Sequence, residues 1–151
     1  MITIGTIHTP YKTKEDCPIQ PAFASQEPSR VEVFPEFSAG LKDVETFSHI
    51  YLLYQFDRAG EIQFVRPTFL ADTPRGVYAS RHPSRPNNIG LSVLRLLRRE
   101  DNVLFVEGAD MLDKTPLLDI KPYLAQYDAI ANASAGWTTE LQWRGKPRGR
   151  E

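Results

Sequence analysis

Apolar and polar positions alternate over residues 2–7 (Ile-Thr-Ile-Gly-Thr-Ile), the period of a strand with one buried face, and Pro10 ends the pattern. Val31, Glu32, Val33 and Phe34 read as a second strand stopped by Pro35. Between them, residues 11–29 carry Pro18, Pro21 and Pro28 without any period, which predicts a long loop of the kind that is either functional or disordered. Residues 38–47 predict a helical turn or short helix. Residues 50–56 (Ile-Tyr-Leu-Leu-Tyr-Gln-Phe) are the most continuously apolar run, and their aromatic and β-branched content predicts a central strand. A short strand is expected over 63–67 and a turn over 72–76. Residues 92–99 fit two patterns: Val93, Leu94, Leu96 and Leu97 have helical spacing, whereas Leu91, Val93 and Leu97 share one face of a strand. Asp101-Asn102 followed by Val103-Leu104-Phe105-Val106 reads as a hairpin turn and return strand, which favours the strand. Residues 117–121, between Pro116 and Pro122, predict a brief extended segment with its leucines in the core. The pattern as a whole is mainly β.

Two stretches carry more chemistry than a connection needs. Residues 81–92 read Arg-His-Pro-Ser-Arg-Pro-Asn-Asn-Ile-Gly-Leu-Ser. Pro83 and Pro86 fix φ, while Asn88 and Gly90 tolerate left-handed backbone, so the loop is expected to be stiff and specifically shaped. Arg81 and Arg85 supply fork-shaped donors that match carboxylate or phosphate oxygens. An ordinary polar connection is the competing reading. The second stretch, residues 107–123, reads Glu-Gly-Ala-Asp-Met-Leu-Asp-Lys-Thr-Pro-Leu-Leu-Asp-Ile-Lys-Pro-Tyr. Gly108 permits close approach of a ligand to the backbone, and Glu107 and Asp110 can accept hydrogen bonds from ribose hydroxyls or an amino group. Asp57 and Arg58 close the apolar run at 50–56, where a core strand delivers side chains to a rim; a solvated ion pair is the alternative.

Composition removes several classes. The 151 residues are 41% hydrophobic and 25% charged with a formal net charge of -1, which excludes a uniformly basic nucleic-acid binder but not a local patch. Residues 75–99 hold six arginines and no carboxylate, and residues 100–128 hold seven acids against two lysines, so charge is segregated along the chain. The single cysteine, Cys17, fits a reducing compartment, and His8, His49 and His82 lack metal-motif spacing, so no metal is expected. No signal peptide and no run of roughly 20 apolar residues is present, which predicts a soluble cytoplasmic protein with no membrane partner. A Gly-x-Gly-x-x-Gly turn and a Gly-x-Ser-x-Gly elbow are both absent, against a doubly wound nucleotide fold and a serine hydrolase.

Arg-Pro-Asn-x-Ile-Gly-Leu-Ser and Asp-x-Thr-Pro-Leu-Leu-Asp-Ile-Lys-Pro-Tyr resemble the signatures of the TrmO (TsaA-like) family of tRNA methyltransferases. The resemblance extends to Ile4-Gly5-Thr6-Ile7 with Pro10-Tyr11, to Phe47-Ser48-His49-Ile50, and to residues 76–81, Gly-Val-Tyr-Ala-Ser-Arg. It implies a small β-barrel with short helices and long ligand-binding loops over residues 1–135, followed by a basic tail over 136–151. It also implies a homodimer, S-adenosyl-L-methionine as methyl donor, and N6 of threonylcarbamoyladenosine at position 37 of tRNA as acceptor. By the same resemblance the donor falls to Gln20, Pro21, Ala22, Phe23, Asp57, Arg58, Arg81, Leu91, Glu107, Gly108, Ala109 and Asp110. Arg81 would meet a carboxylate of donor or substrate, and Leu91 would pack on the adenine. Where the family often has an Arg-Gln pair this chain has Ile19-Gln20. Asp119, Lys121 and Tyr123 are candidates for the acceptor side, and Asp110 or Asp119 for a base. Arg85, Asn87 and Asn88 either orient the modified base or hold the loop's shape. In the tail, Trp137, Trp143, Arg144, Lys146, Arg148 and Arg150 interleave base-stacking and phosphate-binding side chains, as an RNA grip or as a frayed terminus. A non-catalytic nucleotide- or RNA-binding barrel is the alternative to the enzyme.

Overall fold

The computed structural model describes residues 1–139 and residue 141. Six strands close into an antiparallel barrel: β1 (Gly5–His8), β2 (Ser29–Val33), β3 (His49–Gln55), β6 (Ile89–Glu100), β7 (Val103–Glu107) and β8 (Thr115–Pro122). Their order around the barrel is β1-β2-β7-β6-β3-β8, with β8 returning to β1. Two further strands, β4 (Val65–Arg66) and β5 (Arg75–Gly76), form a separate ribbon, and one short helix, α1 (Ala125–Asp128), follows β8. Among the described residues no helix is long and apolar enough to cross a membrane.

Alternation builds the core. Ile7, Val31, Ile50, Leu52, Leu104, Val106 and Leu117 are fully buried on the inner face, so each strand turns one side of its pleat inward. Residues 92–99 are strand, part of the twelve-residue β6, and the hairpin turns at Asp101, whose φ is 51°. The inner face is Gly90, Ser92, Leu94 and Leu96, however, so Leu91 and Val93 point outward and Leu91 is 56% exposed. The helical turn or short helix expected over 38–47 is a pair of 3-10 turns, Pro35–Leu41 and Val44–Thr46. The extended segment expected over 117–121 is a longer strand that includes both flanking prolines. Pro116 pairs with Thr6 of β1 and Pro122 with Ile50 of β3, so both prolines sit inside the ladder near the ends of β8. Leu117 is buried and Leu118 only half-buried.

Antiparallel pairing decides where loops emerge. β1, β3 and β7 end, and β2, β6 and β8 begin, at the same pole of the barrel. The three connections 9–28, 56–88 and 108–114 therefore gather there, while among the described residues the opposite pole carries the entry of β1, the 3-10 turns, the β6–β7 hairpin and the exit of β8. Of the tail residues, Trp143, Arg144, Lys146, Arg148 and Arg150 lie outside the described residues. Trp137 lies within them and is not frayed: its Nε1 donates to the Ala79 carbonyl at 2.8 Å, and the Arg75 guanidinium stacks 5.0 Å from its ring centre.

Candidate functional site

The loops at the crowded pole enclose a cleft of about 1880 Å³. Arg81 and Asp110, nearly thirty residues apart in sequence, both line it, as do Gln20, Pro21, Asp57, Arg58, Arg85, Asn87 and Leu91. Three hydrogen bonds hold the walls together. Arg81 donates to Gln20 Oε1 at 3.0 Å, joining the arginine loop to the 9–28 loop. The Cys17 thiol donates to the Asp110 carbonyl at 3.3 Å, joining that same loop to the acidic turn. Arg58 Nη2 donates to Thr115 Oγ1 at 3.1 Å while its Nε pairs with Asp57, so this ion pair is exposed to solvent and also ties the end of β3 to the start of β8.

The arginine loop is built as its composition predicts, with one difference. Asn88 adopts φ 47°, and its side chain donates to the Pro83 carbonyl at 2.8 Å. Arg85 donates to the carbonyls of Ser80 and His82 at 3.0 and 3.3 Å. Asn88 therefore holds the loop's shape and does not line the cleft, whereas Arg85 both braces the loop and lines the cleft with Asn87. Gly90 is ordinary extended strand; what it supplies is space, since a Cβ there would lie 2.2 Å from the Tyr54 ring.

Of the four residues 107–110 only Asp110 lines the cleft, and Met111 and Leu112 of the same turn line it beside Asp110. Glu107 pairs with Arg95 at 3.5 Å, and Ala109 is buried in the core. Gly108, at φ 91°, lies against Pro21: a Cβ there would be 3.6 Å from the Pro21 Cβ, so the turn and the 3-10 turn Pro21–Phe23 pack directly. Ala22 and Phe23 are exposed beside that contact and outside the cleft lining. Asp119, Lys121 and Tyr123 are not brought to the site. They lie on the outer barrel wall, where Asp119 and Lys121 pair at 3.1 Å and Tyr123 packs on Tyr51 at 5.6 Å between ring centres. The register explains this, since Asp119 and Lys121 face Leu53 and Tyr51, the outward side of β3.

Sequence reading missed two residues that matter here. Ser92 Oγ donates to Asp110 Oδ1 at 2.6 Å, and the Tyr54 hydroxyl lies 3.0 Å from Ser92 Oγ; both residues are buried. The one signal was the pair of small residues Gly90 and Ser92 at successive inward positions of β6, opposite an inward aromatic. Burial pushes the Asp110 carboxyl up to about 6, more than the hydrogen bond from Ser92 and the nearby Arg81 charge pull it down. A group so tuned exchanges a proton near neutral pH. Among the described residues no group of three or more His, Cys, Asp or Glu side chains is arranged to hold a metal ion.

The tRNA-methyltransferase O N-terminal domain family matches residues 6–129, the span that contains the whole barrel and the cleft. This chain belongs to that family. Among its TrmO-type relatives, a probable S-adenosyl-L-methionine-binding protein of Pyrococcus abyssi is 49% identical over 134 residues, covering 89% of this chain and 73% of that one. The tRNA (adenine(37)-N6)-methyltransferase of Mus musculus is 36% identical over 138 residues, which covers 87% of this chain but 32% of the mouse protein. A crystal structure of TrmO superposes with a TM-score of 0.77 at 40% identity, covering 89% of this chain and 61% of that one. The barrel is thus the TrmO barrel, and the chain spans between a third and three quarters of the length of these three relatives.

Proposed function

We propose that this protein transfers the methyl group of S-adenosyl-L-methionine to N6 of threonylcarbamoyladenosine at position 37 of tRNA, acting in the cytoplasm as a homodimer. The observation that carries this reading is the convergence of Arg81 and Asp110 on one cleft, in a chain of the TrmO family. The cleft's roughly 1880 Å³ exceeds the roughly 300–1,000 Å³ of a single-ligand pocket and leaves room for two nucleosides. Its residues fit the donor: Arg81 offers a fork to a carboxylate, Leu91 an exposed apolar face for a purine, and Gln20, Pro21 and Asp57 line the same wall.

When bound, the donor supplies an already activated sulfonium methyl, so neither metal nor protein nucleophile is required. The chain's own residues align the acceptor, exclude water and move one proton. The N6 lone pair of a carbamoylated adenosine is delocalised into both purine and carbonyl, so N6 must lose its proton as the new C–N bond forms. In this reading Asp110, in the cleft and pushed up to about 6, accepts that proton above this pH. Arg81 meets the donor carboxylate or the threonyl carboxylate. Leu91, more than half exposed on the cleft wall, is covered in this reading by a second copy, which completes the site.

Incubating the purified protein with methyl-labelled donor and tRNA carrying the modified adenosine tests the proposal. Label is expected on that tRNA and not on tRNA lacking the modification, and Arg81→Ala is expected to abolish labelling with an unchanged circular dichroism spectrum. A second reading, a binding protein without turnover, draws on the archaeal relative, which is named for donor binding alone. Retention of donor with no labelled RNA would establish it.

A further inference from the structure

We propose that Tyr54 and Ser92 form a buried hydroxyl brace that aims the Asp110 carboxyl into the cleft, with Gly90 leaving the space in which the Tyr54 ring lies. Both hydroxyls are then positioning residues for proton removal at N6, an inference that rests on Asp110 being the base.

Geometry fixes the direction of the chain. Ser92 has a single hydroxyl proton, and the 2.6 Å contact to Asp110 Oδ1 uses it when the carboxylate is ionised. The 3.0 Å contact to Tyr54 is then donated by the phenol. Burial pushes the Tyr54 phenol far above its ordinary range, so it keeps its proton at every working pH and ends the chain as a donor. The brace is not a wire to solvent. It occupies Oδ1, and the proton taken from N6 goes to Oδ2. Tyr54 comes from β3, Ser92 from β6 and Asp110 from the turn after β7, so the brace also fixes three elements relative to one another. The other groups that face Asp110 are Arg81, from the arginine loop, and Cys17, from the 9–28 loop. Gly90 is the direct partner of Tyr54 across the sheet, and a Cβ at position 90 would lie 2.2, 2.4 and 2.8 Å from three atoms of its ring. Only glycine there lets the ring lie flat enough for its hydroxyl to reach Ser92.

The test uses the full chain, with ¹³C-labelled aspartate followed by NMR across pH and single-turnover methyl transfer measured on the same samples. Tyr54→Phe keeps the ring and removes only the hydroxyl; Ser92→Ala removes the bond to Asp110; Asp110→Asn identifies the resonance. Loss of a donor to the carboxylate disfavours its ionised form. The Asp110 midpoint, expected at about 6 in the parent protein, should therefore rise by about one to two pH units in Ser92→Ala and by less in Tyr54→Phe. The acidic limb of the rate profile should move by the same amounts, with the donor KM unchanged. A midpoint that stays in place in both variants, with near-ultraviolet dichroism unaltered, overturns the brace. A midpoint that moves while the rate profile does not supports the brace and overturns the assignment of Asp110 as base, so the two failures are distinguishable.

Discussion

Asp110 stands in a shell that withholds water, and the sign of its shift sets a cost as well as a capability. Its folded value, pushed up to about 6, lies above the 3.8 of an unhindered aspartate. The contribution to stability is therefore fully present below the unfolded value and is lost as pH rises through the folded one. Above that window the ionised carboxylate burdens the fold by up to about 3 kcal/mol, from 1.36 kcal/mol per unit. Asp110→Asn should thus unfold at a higher temperature than the parent at pH 8, gain little at pH 4, and label no tRNA. Thermal melts at the two pH values check the first two outcomes and the labelling assay the third. A variant less stable than the parent at pH 8 would show that Asp110 is held chiefly by its hydrogen bonds. Gain of stability with loss of turnover is the pattern of a group kept for chemistry.

Asp113, three residues further on, acts between elements rather than on a ligand. Its carboxylate accepts the Thr9 N–H at 3.0 Å and pairs with Lys12, and its own N–H donates to the Tyr11 carbonyl at 2.8 Å, strapping the exit of β1 to the entry of β8. Burial alone would raise its pKa, but the Lys12 and Thr9 hydrogen bonds outweigh that and hold it below the usual carboxylate value. Stability from this strap is present above the unfolded value and lost as pH falls through the folded one. Asp113→Ala should cost about 1–3 kcal/mol at neutral pH, by leaving the buried Thr9 N–H unpaired, and the gap to the parent should narrow below about pH 4. Denaturant titration at pH 7 and pH 3 measures both. Neither strap nor brace was legible in the sequence, because each joins residues far apart in the chain through atoms that local pattern does not rank. What was legible was local. The period of residues 2–7 and 103–106 and the Asp101-Asn102 turn pointed to β1, which begins only at Gly5, and to the β6–β7 hairpin. Asp119, Lys121 and Tyr123 look as chemical as Asp110 in the sequence; the pairing of β8 with the outward side of β3 puts them on the outer wall, on the face that also carries Leu91.

Across the molecule, folding undoes the charge segregation seen along the chain. Arg95, Arg98 and Arg99 find Glu107, Glu100 and Glu45 as partners at 3.5, 3.0 and 3.5 Å. Arg81 and Arg85 stay at the cleft with Lys14, Arg58 and Arg66, so these basic side chains gather at one pole. With about three phosphate contacts, tRNA affinity should fall about twenty- to fortyfold between 50 and 200 mM salt, measured by filter binding. An affinity flat with ionic strength would remove the cleft rim as an electrostatic contact. The order of the staves has one more effect. The wall closes only when Gly5, Thr6 and Ile7 meet Leu117, Pro116 and Thr115, a pairing between opposite ends of the barrel sequence. A ribosome that has released the first hundred or so residues presents an open sheet with β1 and β3 as bare edges, and no cleft exists for a nucleotide until β8 arrives. Maturation of the pocket is thus tied to the emergence of β8, and the nascent chain is most exposed to strand exchange and chaperone capture in the interval before it.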